Sequence, residues 1–268
     1  MRTGLTIAGS DSGGGAGIQA DLKTFSALGV FGMSAIVSVT AQNTLGVRDV
    51  ADLSPKIIGE QMDAVFQDIP VGAVKIGMVS NSGAIDRIAE KLSFYQPGWI
   101  VLDPVMVSKS GYDLLKPEAR KTLTDRLLPL ASVVTPNLFE ASKLVGRRID
   151  SIDGMHEAAR EIFQMGPKSV LVKGGHLLKE PVDIFYDGRQ FHTFEGRHID
   201  TKNTHGTGCT LSSAIAAYLA RGEKLKEAVG LAKDYVQGAI EHSLSLGHGF
   251  GPTHHFYRWY PESEVLQK

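Results

Sequence analysis

One cysteine, Cys209, in 268 residues leaves no internal disulfide, and a reducing compartment fits such a chain. No apolar run approaches the roughly 18 residues of a membrane span. The net charge is only −1 at pH 7, so the chain lacks the one-signed field of a nucleic-acid or membrane-surface protein. Repeats and low-complexity linkers are missing, and no domain boundary is visible. Residues 1–268 are expected to form a single domain. The nine histidines do not fall at metal-ligand spacing. His254 and His255 are adjacent and would point opposite ways in extended chain, so no histidine metal cage is expected. The N-terminus reaches a glycine loop by Gly9, too early for a signal peptide. A cytoplasmic protein is expected, with neither nucleic acid nor membrane as a partner.

Glycine, by contrast, is plentiful at 30 residues, and it gathers at apparent strand ends. Leu5 to Ala8 reads as a strand. Gly9-Ser-Asp11-Ser-Gly13-Gly14-Gly15-Ala-Gly17 follows it, and then Ile18, Leu22, Phe25 and Leu28 recur at helical spacing. A dinucleotide fold begins in the same way but needs an acidic residue at the end of the next strand. That strand, Ala35 to Thr40, ends in Ala41-Gln42-Asn43-Thr44, with nothing acidic. Strands and helices then alternate, which implies a mainly parallel sheet covered on both faces by helices, an α/β fold. The predicted strands include Ala73 to Met78, Trp99 to Met106, Ser132 to Thr135 and Ser169 to Lys173, with a hairpin around Asp187-Gly188.

The chain is organised around a second glycine loop, Asp200-Thr-Lys-Asn-Thr-His-Gly206-Thr207-Gly208-Cys209, which runs into a helix from Thr207 to about Arg221. Glycines admit close backbone approach, and the helix N-terminus offers unpaired N–H groups and a positive dipole end. Together they make an anion site, with phosphate the usual anion. Cys209 falls in the first turn, where the dipole favours thiolate.

Several other residues have two readings. Asp103 ends a strand as a turn residue or as a magnesium ligand. Asn137 and Glu140 are spaced as a capping box. Lys173 is a solvated lysine beside a turn or a point charge for a nucleotide phosphate. Met78 is core or an apolar pocket wall. Asp21 is an exposed helix carboxylate unless it meets substrate. Gln42 is a solvated loop residue or an amide whose donor and acceptor, side by side, could read a ligand edge. Ser108-Lys-Ser-Gly111-Tyr is a loop that could close over the site.

The Asp-Thr-Lys-Asn-Thr-His-Gly-Thr-Gly-Cys stretch resembles the signature of the ribokinase-like kinases of small hydroxylated molecules. Those enzymes typically carry an acidic residue where Cys209 stands. The cysteine form is similar to the vitamin-kinase branch, the hydroxymethylpyrimidine/phosphomethylpyrimidine kinases of thiamine synthesis, with pyridoxine or pyridoxal kinases as the alternative. The resemblance implies a three-layer α/β/α sandwich and two phosphorylations of an aminopyrimidine alcohol, with ATP and Mg2+. It implies substrate contacts at Gly9, Asp21, Gln42 and Met78. It further implies nucleotide contacts at Asn137, Lys173 and Thr204, magnesium at Asp103 and Glu140, and catalysis at Gly206, Thr207, Gly208 and Cys209. Asn137 and Glu140 match the family's Asn-x-x-Glu motif residue for residue. A homodimer is a family implication only.

Overall fold

A computed structural model describes residues 1–107, 111–112, 114–175 and 181–260. In chain order the elements are β1 (Arg2–Ala8), α1 (Gly17–Ala27), β2 (Val30–Ile36), β3 (Ser38–Asn43), β4 (Gly46–Asp52), α2 (Pro55–Phe66), β5 (Ala73–Ile76), α3 (Ser82–Tyr95) and β6 (Ile100–Leu102). There follow α4 (Pro117–Arg126), β7 (Val133–Val134), α5 (Leu138–Val145), α6 (Ile152–Gln164), β8 (Val170–Lys173), β9 (Val182–Tyr186), β10 (Phe191–Glu195), α7 (Thr207–Arg221) and α8 (Leu225–Glu241).

Among the described residues, eight strands form one sheet in the order β10-β9-β8-β7-β6-β5-β1-β2. From β8 to β2 every pairing is parallel, while β9 and β10 extend the edge as an antiparallel hairpin. Period-two alternation sorts the strand side chains between two cores. Leu5, Ile7, Val74, Ile76, Leu102, Val134 and Val170 join the core that contains residues of α2 to α6. Ala73, Val101, Val133 and Leu171 join the other, made with α1, α7 and α8. The result is a three-layer α/β/α sandwich. Helix α7 is buried along almost its whole length between the sheet, α1 and α8, and its run of alanines lets those neighbours approach closely.

The run from Ala35 to Thr40, expected as one strand, is divided. Strand β2 stays in the main sheet, and the chain leaves it at Val37 to form a separate antiparallel pair, β3–β4. Val37 holds the junction, its N–H donating to Ala8 O and its carbonyl accepting from Leu53 N. The strand expected from Trp99 to Met106 stops at Leu102, just before Asp103-Pro104. The possible closing loop falls partly outside the described residues, at 108–110. No described helix is long and apolar enough to cross a membrane.

Candidate active site

The chain runs from β1 outward to β2, then returns to place β5 on the other side of β1. The strand order therefore reverses at β1, and open α/β sheets bind ligands at such a reversal, beyond the carboxyl ends of the strands. A cavity of about 450 Å3 lies there. Its wall takes Gly9 from the end of β1, Met78 from beyond β5, Asp103 from beyond β6, Asn137 from beyond β7 and Lys173 from the end of β8.

Helix α7 enters this cavity by its N-terminus. Gly206, at φ +81°, is the N-cap, and Gly206, Thr207, Gly208 and Cys209 all line the wall. A Cβ at Gly206 would stand 1.8 Å from the carbonyl oxygen of Gly15, so no other residue fits the loop as it is built. Thr207 N–H and Oγ1 both donate to Thr204 O, which sets the turn before the helix. The first turn of α7 lies against a half-buried ion pair. Lys173 Nζ is 3.0 Å from Asp103 Oδ1, and a Cβ on Gly208 would be about equally near both partners, at 3.5 and 3.6 Å. Asp103 also accepts from Thr135 Oγ1 at 3.3 Å, and Ser212 Oγ lies 3.4 Å from its Oδ2 while donating to the nearer Gly208 O.

Asn137 and Glu140 form a complete capping box: Asn137 Oδ1 accepts from Glu140 N at 2.9 Å, and Glu140 Oε2 accepts from Asn137 N at 2.8 Å. Yet Glu140 is 3% exposed and lines the cavity beside Asp103 and Lys173. Burial pushes its carboxyl up to about 7; Lys173 opposes the shift and Asp103 adds to it. Burial also works against the charge of Lys173, but Asp103 and Glu140 hold its pKa above the usual lysine value.

At the acceptor end, Met78 is 8% exposed and packs on Gly9, where a Cβ would meet its Cε at 2.8 Å. Gln42 comes from the register shift in β3, and such bulges re-aim a side chain. Thr40 Oγ1 stands 3.3 Å from Gln42 Oε1 but 2.8 Å from Ser10 O. Its single proton goes to the nearer acceptor, which leaves the Gln42 amide open to a ligand.

Two sequence expectations change. Asp21 does not line the cavity. It is fully buried beneath α7, where it accepts from Lys75 Nζ at 2.8 and 2.9 Å, from Thr6 Oγ1 at 2.6 Å and from Ser213 Oγ at 2.6 Å. Helical spacing sets its depth, since the inward face of α1 also carries Ile18 and Phe25. Cys209 is not held as a ready thiolate. Burial pushes its thiol up to about 11, against Lys75, whose charge pulls it down. Desolvation outweighs the Lys75 charge.

Other residues of the site escaped the sequence reading. Asp11 is 2% exposed and its carboxylate accepts from the amides of Gly13, Gly15 and Ala16. His205 Nε2 lies 2.8 Å from Asp11 Oδ2, tying the two glycine loops together. The signal was the position of each residue, one inside the first glycine loop and the other directly before Gly206. A second cavity, of about 230 Å3, opens on the other side of α7. It shares Lys173, Thr204 and Thr207 with the first, and Val236, Gln237 and Ile240 of α8 form its far wall. Nothing local in the sequence marked α8 for this place. Among the described residues, no three His, Cys, Asp or Glu side chains cluster to hold a metal ion by themselves.

The phosphomethylpyrimidine kinase family model matches residues 11–254. A hydroxymethylpyrimidine/phosphomethylpyrimidine kinase of Rhizobium meliloti is 54% identical over 262 residues, covering 96% of this chain and 98% of that one. The thiamine biosynthesis bifunctional protein ThiED of Geobacter sulfurreducens is 51% identical over 252 residues; the match covers 94% of this chain but spans only about half, 51%, of that protein. The crystal structure of phosphomethylpyrimidine kinase from Clostridium difficile superposes with a TM-score of 0.81 at 54% identity, covering 90% of this chain and all of that one. An ADP complex of Bacillus subtilis pyridoxal kinase gives a TM-score of 0.90 at 41% identity, covering 97% and 100% of the two chains.

Proposed function

The chain belongs to the phosphomethylpyrimidine kinase family, and from that premise we propose that it transfers the γ-phosphoryl of ATP twice. The first acceptor is the hydroxymethyl group of 4-amino-5-hydroxymethyl-2-methylpyrimidine. The second is the resulting monophosphate, which becomes the diphosphate used in thiamine assembly. The observation that carries this reading is the meeting of two cavities at one helix N-terminus. The first cavity takes the pyrimidine, and the second takes the nucleotide. Lys173, Thr204 and Thr207, common to both, stand where the phosphoryl group crosses.

Phosphoryl transfer asks mostly for positioning and charge stabilisation. The amides of Gly206, Thr207, Gly208 and Cys209 hold the oxygens of the transferring group, and Lys173 steadies the nucleotide phosphates. The Gln42 amide reads the aminopyrimidine edge, with Met78 and Gly9 against the ring. Magnesium fits the donor set. It is commonly held by one or two carboxylates plus phosphate oxygens and water, and Asp103 and Glu140 supply two carboxyl groups on the cavity wall. Burial, with the neighbouring Asp103 charge, raises the Glu140 carboxyl even against Lys173, and a bound cation would offset both. Asp103 and Glu140, with Asn137 fixing Glu140, would hold the ion, which neutralises triphosphate charge when bound.

The same reading carries one kinase domain over residues 1–268, a cytoplasmic location and a homodimer. Light scattering tests the dimer. Pyridoxal phosphorylation is the second reading, favoured by the 41% identity to the Bacillus subtilis pyridoxal kinase. The family model and the Rhizobium meliloti relative favour the pyrimidine. An ATP-consumption screen with the pyrimidine alcohol, its monophosphate and the pyridoxine vitamers separates the two. Turnover with both pyrimidines supports the proposal, and turnover with pyridoxine vitamers alone replaces it.

A further inference from the structure

We infer that the glycine-rich strap over residues 247–253 is a positioning element for the transfer, because it fixes the hairpin that carries Gln42 to the loop that carries Gly206. The inference rests on the kinase reading above. Gly249 N donates to Thr44 Oγ1 at 3.2 Å, and Phe250 N donates to Thr44 O at 3.0 Å. One residue later the strap has reached the anion loop. Gly251 N donates to Asn203 Oδ1 at 3.2 Å, Gly251 O accepts from His205 N at 3.0 Å, and Pro252 forms a parallel bridge with His205. Thus a span of a few residues joins the turn just past Gln42 to the residue just before Gly206.

The strap must be glycine to lie so close. A Cβ at Gly249 would stand 1.9 Å from Thr44 O, and one at Gly251 would stand 2.3 Å from Leu244 O. The Asp11–His205 pair ties the anion loop to the first glycine loop in the same region. Ser12 then ties that loop back to the hairpin, its hydroxyl donating to Gln42 O and accepting from Gln42 N, both at 2.8 Å. Three loops far apart in sequence are closed into one ring around the acceptor end of the cavity. Thr44 and the strap themselves are not part of the cavity wall. They act through Gln42 and Gly206, by holding the acceptor oxygen in line with the phosphoryl group. Misplacement by about 1 Å in such a reaction costs on the order of 100-fold in rate.

The test compares Thr44→Val, which removes the hydroxyl that receives Gly249 N, with Thr44→Ser, which keeps it. On the full chain, with ATP and the pyrimidine alcohol, KM for the alcohol and KM for ATP are measured separately. The ratio of phosphoryl groups found on pyrimidine, counting one per monophosphate and two per diphosphate, to ADP formed is recorded as well. Thr44→Val is expected to raise the alcohol KM at least about fivefold and to lower the product-to-ADP ratio as water competes for the phosphoryl group. The ATP KM stays within about twofold, and Thr44→Ser restores the wild-type values. Gly249→Ala acts in the same direction and more strongly, and the Thr44 pair decides the matter if Gly249→Ala does not fold. Unchanged alcohol KM and product ratio in Thr44→Val, failure of Thr44→Ser to restore them, or an equal rise in both KM values overturns the inference. A wild-type chain that phosphorylates no pyrimidine overturns instead the kinase reading beneath it.

Discussion

The resemblance to ribokinase-like kinases puts Cys209 where an acidic residue would be expected to serve as a base. An alcohol acceptor benefits from a base, whereas a phosphate monoester is already an anion at pH 7, its second pKa being about 6. A fixed carboxylate beside that anion repels it. Two unit charges about 4 Å apart at an effective dielectric of 20 interact by about 4 kcal/mol. The Cys209 thiol, pushed up to about 11, is neutral at working pH and repels nothing. To take the alcohol's proton the thiol must first ionise, which burial opposes and the Lys75 charge favours. We expect Cys209→Asp to keep much of the first phosphorylation and lose most of the second, and Cys209→Ala to damage the first more than the second. Rates measured separately from the alcohol and from the monophosphate check this; equal slowing of both steps by Cys209→Asp goes against it.

At the scale of elements, α5 uses Glu140 twice, as the capping partner of Asn137 and as a wall of the cavity. Glu140→Gln keeps an acceptor for Asn137 N, so the melting temperature should change little. The magnesium requirement should rise. Because the wild-type carboxyl is pushed up to about 7, protons compete with the ion increasingly as pH falls through 7, and the wild-type requirement should climb there. The glutamine variant should show a high requirement with little pH dependence. Magnesium titrations of rate at pH 6 and pH 8 check both statements. A second element-scale expectation concerns Lys75, which couples β5 to α1 through Asp21 with neither side chain exposed. Lys75→Met leaves Asp21 buried without its cation and should cost about 3–5 kcal/mol in urea unfolding. Pairing it with Asp21→Asn should recover part of that loss. The sequence placed Asp21 on α1, at helical spacing from Ile18 and Phe25 on the inward face. It could not show the partners that pair the buried carboxylate, Lys75 and Ser213, which approach from 54 and 192 residues away. The places of Gln42 and Gly206 on the cavity wall were legible because each lies at a local break, Gln42 near the end of β3 and Gly206 opening a glycine pair. The second cavity was not, because its far wall comes from α8, whose sequence reads only as an amphipathic helix.

For the whole molecule, the carboxyl ends of five adjacent strands, a buried α7 and the returning tail make one site. The alternation of strand and helix foretold the sandwich, and the division of 35–40 into two sheets was hidden because Val37 continues the apolar pattern without a break. The tail also sets an acid limit on stability. His255 is 4% exposed, with its Nε2 3.1 Å from Thr210 Oγ1. Burial, aided by Lys23 and His254, presses its pKa down to about 3 from the model-peptide value of 6.5. Between those values the unfolded chain holds a proton that the folded chain lacks, so stability falls as pH drops through that window. From pH 7 to pH 5 the wild type should lose about 2 kcal/mol more than His255→Gln, taking 1.36 kcal/mol per pKa unit over about 1.5 units. Urea unfolding of both proteins at the two pH values checks the difference.

The central claim is that one site performs two successive transfers, and a product-resolved time course tests it most directly. The full chain is mixed with ATP, magnesium and the pyrimidine alcohol, and alcohol, monophosphate and diphosphate are separated at intervals. The account requires monophosphate to rise and then fall as diphosphate appears, with two ADP formed per diphosphate. It also requires Cys209→Asp to stop at the monophosphate. Monophosphate that accumulates in the wild type without conversion, even with ATP in excess, contradicts it.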